Sequence, residues 1–172
     1  LGNGGFGTAL AMVSLRAGHD VRQWGHDPEY TAEMAKARTN SRYLPGVEIP
    51  DAIAIGSDAG ATLEGVDAVL MAVPTQHVRS VMTQLRPHVP KRVPVISPAK
   101  GLEQDTSLRP SRGLHAVLDG DNDVLVLGGP SHAEEVARSL PTTVVLAGDD
   151  DAAVEKMQEA LSTDDFRIYG NS

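Results

Sequence analysis

The sequence predicts an α/β fold, a doubly wound parallel sheet with helices on both faces. Three observations predict it. Segments of strand and helix character alternate along all 172 residues. Several strand candidates, such as 66–73, are unbroken apolar runs, as expected of strands covered on both sides. The chain also opens on Gly2, Gly4 and Gly7, which have the G-x-G-x-x-G spacing and run directly into a helical pattern.

Residues 6–17 are apolar at helical spacing and stop at Gly18, a C-cap residue, so they form the helix behind the glycine turn. A strand over 21–24 follows. Asp27 before Pro28 is an N-cap ahead of a proline at the first helical position, opening a helix to about residue 38. Residues 40–50 read as loop. A strand over 53–55, a helix capped by Ser57 and the run 66–73 continue the alternation, which Pro74 punctuates. Thr75 is expected to cap a helix to Leu85, with a strand over 93–97 behind it. Between 100 and 118 the pattern is broken, because Pro110 interrupts a helical period. Strands over 124–127, 143–146 and 166–169, with helices over 131–138 and 151–161 between them, complete the chain.

A glycine turn of this kind needs a strand in front of it. Only Leu1 stands there and no initiator Met precedes it, so the sequence is expected to be a fragment, one nucleotide-binding domain over 1–172 without its first strand. In the sheet order 3-2-1-4-5-6 that strand is central, and it brings the total to about eight.

Composition excludes several classes of function. An apolar content of 41% with 22% charged residues describes a soluble globular domain, and the net charge of −8 argues against a broad nucleic-acid contact. No apolar run approaches the roughly 18 residues that span a bilayer. Zero cysteines exclude disulfides and thiolate metal sites and fit a reducing, cytoplasmic setting. The six histidines lack H-E-x-x-H or similar spacing, so no metal is expected. No G-x-S-x-G elbow marks Ser97, Ser131 or Ser139 as a nucleophile. His77, Arg79 and Gln84 read as solvated helix surface.

The glycine turn carries the first chemical inference. In this Rossmann-like arrangement Gly2 allows the tight turn, Gly4 admits a pyrophosphate and Gly7 lets helix and strand pack closely, while backbone N–H groups around 4–7 face the phosphates. The implied cofactor is NAD or NADP. A carboxylate at the end of the next strand takes the ribose hydroxyls when NAD is preferred, but here the strand ends Trp24-Gly25-His26. Asp27 reads as a helix cap, whereas a His26 imidazole can donate to a 2′-phosphate, so dual or NADP use follows. His26 as a plain exposed loop residue is the alternative.

Five separated segments, LGNGGFGTALA, WGHDPE, NSRYLPGVEIP, SPAKGLE and GPSHAEEVARSLPT, resemble signatures of the bacterial-type NAD(P)-dependent glycerol-3-phosphate dehydrogenases in order, and the closing FRIYGNS is similar to another. The resemblance covers essentially the whole chain. It implies reversible hydride transfer between sn-glycerol 3-phosphate and dihydroxyacetone phosphate, feeding phospholipid synthesis, by a homodimer when full length. By position it implies that Gly5, Phe6, His26 and Ala133 contact the cofactor, that Lys100 meets cofactor and substrate, and that Gly129 and Ser131 lie on the glycerol phosphate. Gly5 and Phe6 stand where Ser and Trp or Tyr are common in the family, and Pro98-Ala99 precedes Lys100 where Ala-Thr is usual.

Lys100 follows a strand end, where ligands bind in open α/β sheets, and can be base or clamp. A neighbouring phosphate favours the charged form, so the expected role is a cation that orients substrate and stabilises negative charge at the reacting oxygen. Ser131 and Glu134 have capping-box spacing, and the Gly128–Ser131 turn is expected both to cap its helix and to hold substrate. Tyr43 can border the cofactor from a packed loop. The family's principal catalytic lysine lies on an all-helical domain downstream of Ser172, so the chain alone is expected not to turn over. A non-catalytic NAD(P)-binding module and a related β-hydroxyacid dehydrogenase are the rival readings.

Overall fold

A computed structural model describes residues 1–171. The glycine turn leads into α1 (Gly5–Arg16), whose residues 7–14 are all buried, a helix enclosed by the fold. Then come β1 (Arg22–Trp24), α2 (Pro28–Ala37), β2 (Thr39–Asn40), β3 (Leu44–Glu48), β4 (Ala54–Gly56), α3 (Ala59–Leu63) and β5 (Val69–Leu70). The second half contains α4 (Thr75–Leu85), β6 (Val95–Ser97), α5 (Pro110–Leu118), β7 (Val124–Gly128), α6 (Ala133–Ala137), β8 (Thr142–Ala147), α7 (Asp151–Leu161) and β9 (Phe166–Asn171). Ser172, which closes the FRIYGNS segment, lies outside the described residues.

Strands β5-β6-β7-β8-β9 form one sheet and β1 pairs with β4 in parallel. Leu1 and Gly2 join the two pieces: the Leu1 nitrogen donates to the Leu70 carbonyl at 2.7 Å, the Ala72 N–H to the Leu1 carbonyl at 2.8 Å and the Gly2 N–H to the Trp24 carbonyl at 2.9 Å. Spatially the order is therefore β4, β1, the Leu1–Gly2 segment, β5, β6 and β7, the doubly wound arrangement. Below that segment a groove of about 570 Å³ separates β1 from β5, lined among others by Ala11, Val21, Gln23, Leu70 and Leu161.

Both sheet faces are covered, and consecutive residues show it. Val95 and Val124 belong to one apolar core with Met82, Leu85, Leu114 and Leu118, whereas their neighbours Ile96 and Leu125 belong to the other with Leu10, Val13, Met157 and Phe166. The expectation of an all-parallel sheet needs one correction. β8 runs antiparallel to β7, with Leu127 opposite Leu146, before β9 resumes parallel pairing. Outward-facing Val145 and Tyr169 pair on this part of the sheet, and both are exposed.

Four local expectations are also corrected. Residues 40–50 contain the antiparallel β2–β3 hairpin instead of plain loop. Asp58, and not Ser57, caps α3, accepting from the Ala61 N–H at 2.9 Å. Pro74 occupies the N-cap of α4, and Thr75, its first residue, donates its hydroxyl to the Lys100 carbonyl. Pro110 opens α5 at its first turn instead of interrupting a helix, where its missing N–H costs nothing. Asp27 caps α2 as expected, its carboxylate accepting from the Tyr30 N–H at 3.1 Å.

Candidate functional site

The glycine turn has the geometry its spacing predicts. Gly2 has φ +100°, and a Cβ on Gly7 would lie 2.3 Å from the Gly2 carbonyl oxygen, so these two glycines let helix and turn touch. Gly4 is different. It is the N-cap of α1, provides no side-chain cap, and a Cβ there would meet nothing within 4 Å. The first turn of α1 also carries no acidic residue. Its leading N–H groups are thus directed to open space, with the positive end of a 12-residue helix behind them.

A buried polar network that the sequence reading did not identify holds this turn. The Thr8 hydroxyl, fully buried, accepts from Asn40 Nδ2 at 2.8 Å and Gln23 Nε2 at 3.0 Å. Asn40 Nδ2 also donates to the Asn3 carbonyl at 2.9 Å, and Asn3 Nδ2 donates to the Thr31 hydroxyl at 3.1 Å. The turn is therefore tied to α1, β1, α2 and the hairpin at once. The available signal was polar residues inside otherwise apolar elements, since Thr8 and Gln23 interrupt runs that burial alone would fill with aliphatics.

His26 is exposed just beyond β1. The hairpin brings the Tyr43 backbone to Gly5, where a Cβ would lie 2.4 Å from the Tyr43 carbonyl oxygen and 3.5 Å from Ala133 Cβ. Gly5, Tyr43 and Ala133 thus meet at the start of α1, and Phe6 packs against the same core. The absence of a Ser side chain at Gly5 has a structural reason: the hairpin carbonyl occupies its space.

Lys100 follows β6 and its Nζ donates to the Gly129 carbonyl at 3.0 Å, joining residues 29 positions apart. Its loop is clamped to α4. Arg79 Nη2 donates to Glu103 Oε2 at 2.9 Å and Nε to Oε1 at 3.1 Å, and the Thr106 hydroxyl donates to the same carboxylate at 2.6 Å. Gln76 adds bonds to the Leu102 carbonyl and the Gln104 N–H. Arg79 is consequently a structural partner and not solvated surface. Its guanidinium, with the Thr106 hydroxyl, holds the Glu103 carboxyl below the usual carboxylate range.

Ser131 and Glu134 do not form the expected capping box. His132 is the N-cap of α6, no side chain caps that helix, and Ser131 precedes it, half-buried. With the helix starting at Ala133, Ser131 falls one position ahead of the N-cap and Glu134 at the second helical residue, one place too early for a capping box. The structure thus brings Lys100 to Gly129 and Ala133 to Gly5, with Ser131 in the connection between Gly129 and Ala133.

A sequence model described as the N-terminus of NAD-dependent glycerol-3-phosphate dehydrogenase matches residues 1–154. The chain belongs to that family. It is 41% identical over 171 residues to glycerol-3-phosphate dehydrogenase [NAD(P)+] of Chelativorans sp. and 42% identical over 173 residues to that of Geobacillus kaustophilus, each comparison covering 99% of the chain. These matches cover 52% and 50% of the two relatives, so the chain spans about half the length of the curated relatives it matches. The crystal structure of glycerol-3-phosphate dehydrogenase from Coxiella burnetii superposes with a TM-score of 0.91 at 34% identity, over 99% of the chain and 52% of that protein. Its Plasmodium falciparum counterpart, at 22% identity and a TM-score of 0.87 over 99% of the chain and 50% of that protein, shares the fold. No helix of the described residues is long and apolar enough to cross a membrane.

Proposed function

We propose that the chain is the cofactor-binding part of an sn-glycerol-3-phosphate dehydrogenase that uses NAD or NADP. The reaction is reversible hydride transfer between sn-glycerol 3-phosphate and dihydroxyacetone phosphate, a cytoplasmic step that supplies phospholipid synthesis. The observation that carries the reading is the Lys100 to Gly129 bond of 3.0 Å, which unites the residue assigned to both ligands with one assigned to the glycerol phosphate.

Gly2, Gly4, Gly5, Phe6 and Gly7 receive the pyrophosphate on the leading N–H groups of α1, while His26 lies toward the adenosine ribose and Ala133 borders the cofactor. The nicotinamide ring, when bound, supplies or accepts the hydride. Lys100 donates one N–H of its ammonium to the Gly129 carbonyl and has two left for substrate oxygens, so it orients substrate and stabilises negative charge at the reacting oxygen. The Ser131 hydroxyl, not engaged in capping α6, is available to the glycerol phosphate.

The domain reading follows the same lines. A strand ahead of Leu1 fits the groove between β1 and β5, and in this reading the principal catalytic lysine comes from an all-helical domain beyond Ser172 and the full-length protein is a homodimer. Lys100→Met in the full-length protein is the test: KM for dihydroxyacetone phosphate rises and kcat falls, with each hydrogen bond to a charged group worth about 1.5–3 kcal/mol. Unchanged kinetics contradict the assignment.

A further inference from the structure

We propose that Arg42, at the tip of the β2–β3 hairpin, selects between the two dinucleotides by receiving the 2′-phosphate of NADP. The proposal rests on the reading of the glycine turn as a dinucleotide site. In this fold the residues just past the strand that follows the glycine-turn helix meet the adenosine ribose. Here that strand is β1, and the first position past it, Gly25, has no room for a side chain, since a Cβ would lie 2.2 Å from the Thr31 hydroxyl and 2.3 Å from Asn3 Nδ2. The next side chains are His26 and Asp27.

Asp27 is poorly suited to a pair of ribose hydroxyls. One carboxylate oxygen caps α2 through the Tyr30 N–H, and the other faces Arg42 Nη1 at 4.0 Å. Arg42 therefore stands beside the ribose position with its charge only loosely matched. By contrast Arg79 and Arg16 hold their carboxylates at 2.9 and 3.0 Å.

The way Arg42 is held suits a phosphate. Its Cζ lies 4.2 Å from the centre of the Tyr30 ring, which Tyr43 braces edge-on at 5.8 Å. A guanidinium that rests its flat face on a ring and spends one hydrogen bond on the Tyr43 side chain still has in-plane N–H groups for an oxyanion, and its side chain is 54% exposed. The backbone is fixed as well. The Arg42 N–H donates to the Tyr30 hydroxyl at 3.2 Å, that hydroxyl donates to Asn40 Oδ1 at 2.6 Å, and Asn40 Nδ2 reaches the Asn3 carbonyl of the glycine turn. Arg42 is thereby positioned by the same network as the pyrophosphate turn, so little ordering cost remains at binding.

Titration of the full-length protein with NADPH and NADH tests this. The parent binds NADPH more tightly. Arg42→Ala weakens NADPH roughly 10- to 100-fold and leaves NADH within threefold, and Arg42→Gln, which keeps a polar side chain of similar reach without the charge, shows the same asymmetry. Asp27→Asn retains the helix cap and removes the competing charge, so it raises the preference for NADPH. Equal weakening of both cofactors, or NADPH affinity unaltered in both Arg42 variants, overturns the role of Arg42 and leaves the dinucleotide reading standing. A parent that binds neither cofactor overturns both.

Discussion

Gly4 and Gly7 belong to one motif, and the structure assigns them different tasks that substitution separates. At Gly7 an alanine methyl meets the Gly2 carbonyl oxygen at 2.3 Å, a backbone contact with no flexible side chain to yield. Gly7→Ala is expected to cost about 1–3 kcal/mol of stability, as overpacking does. At Gly4 the backbone, φ −70° and ψ 177°, suits any residue, and the methyl meets no protein atom within 4 Å. Gly4→Ala therefore costs only the poorer N-cap, about 0.5–1 kcal/mol. Its effect on ligand is larger, because the methyl stands before the leading N–H groups of α1. Losing one hydrogen bond to a charged phosphate, about 1.5–3 kcal/mol, raises the dissociation constant of NADH or NADPH about 10- to 150-fold. Fluorescence titration and urea unfolding of the same full-length preparations read both quantities. Gly4→Ala binding within twofold of the parent, or destabilised by more than 2 kcal/mol, refutes the division of labour.

Arg79→Met leaves the nearly buried Glu103 carboxylate with Thr106 alone, at an expected cost of about 1.5–3 kcal/mol in urea unfolding at pH 7, while Arg79→Met with Glu103→Met recovers most of it. Glu103 has a folded pKa depressed first by Arg79 and then by Thr106, so its stabilisation is complete above the unfolded carboxyl pKa of about 4.3 and is lost as pH falls through the folded value. Unfolding measured down the acid range should show that loss in the parent and much less of it in Arg79→Met. Thr8→Val removes the hydroxyl that accepts from both Gln23 and Asn40 and leaves each amide with one backbone carbonyl, Gly2 and Asn3 respectively, so a melting experiment should find about 1–2 kcal/mol of destabilisation; a neutral result removes the network from the account.

What the sequence made legible is what local chemistry dictates. Gly7 is required by its contact with Gly2, five residues away, and the Asp27-Pro28 cap by a contact within three, so both were readable, although Gly2 itself is held against the Ala72 carbonyl far along the chain. The β2–β3 hairpin was not, because Pro45 and Gly46 read as loop and the hairpin is held by Asn40 and Tyr30 bonding side chains distant in sequence. Antiparallel β8 was equally hidden: a segment such as TTVVLA has the same composition whichever way its neighbour runs. At the site, position after a strand end together with the family resemblance pointed to Lys100 and Gly129, whereas Arg79 and Asn3, which hold the neighbouring loop and turn through contacts with distant residues, carry no local signature. Ser131 and Glu134 had the right spacing for a box, but the helix starts one residue later than that spacing requires.

Cofactor oxidation by the full-length protein, with dihydroxyacetone phosphate as the only acceptor and the product's configuration determined, tests the central reading most directly. The account predicts oxidation of NADH or NADPH that depends on dihydroxyacetone phosphate, yields sn-glycerol 3-phosphate and nearly vanishes in Lys100→Met. Tight dinucleotide binding without any turnover, or turnover confined to a β-hydroxyacid pair, contradicts it.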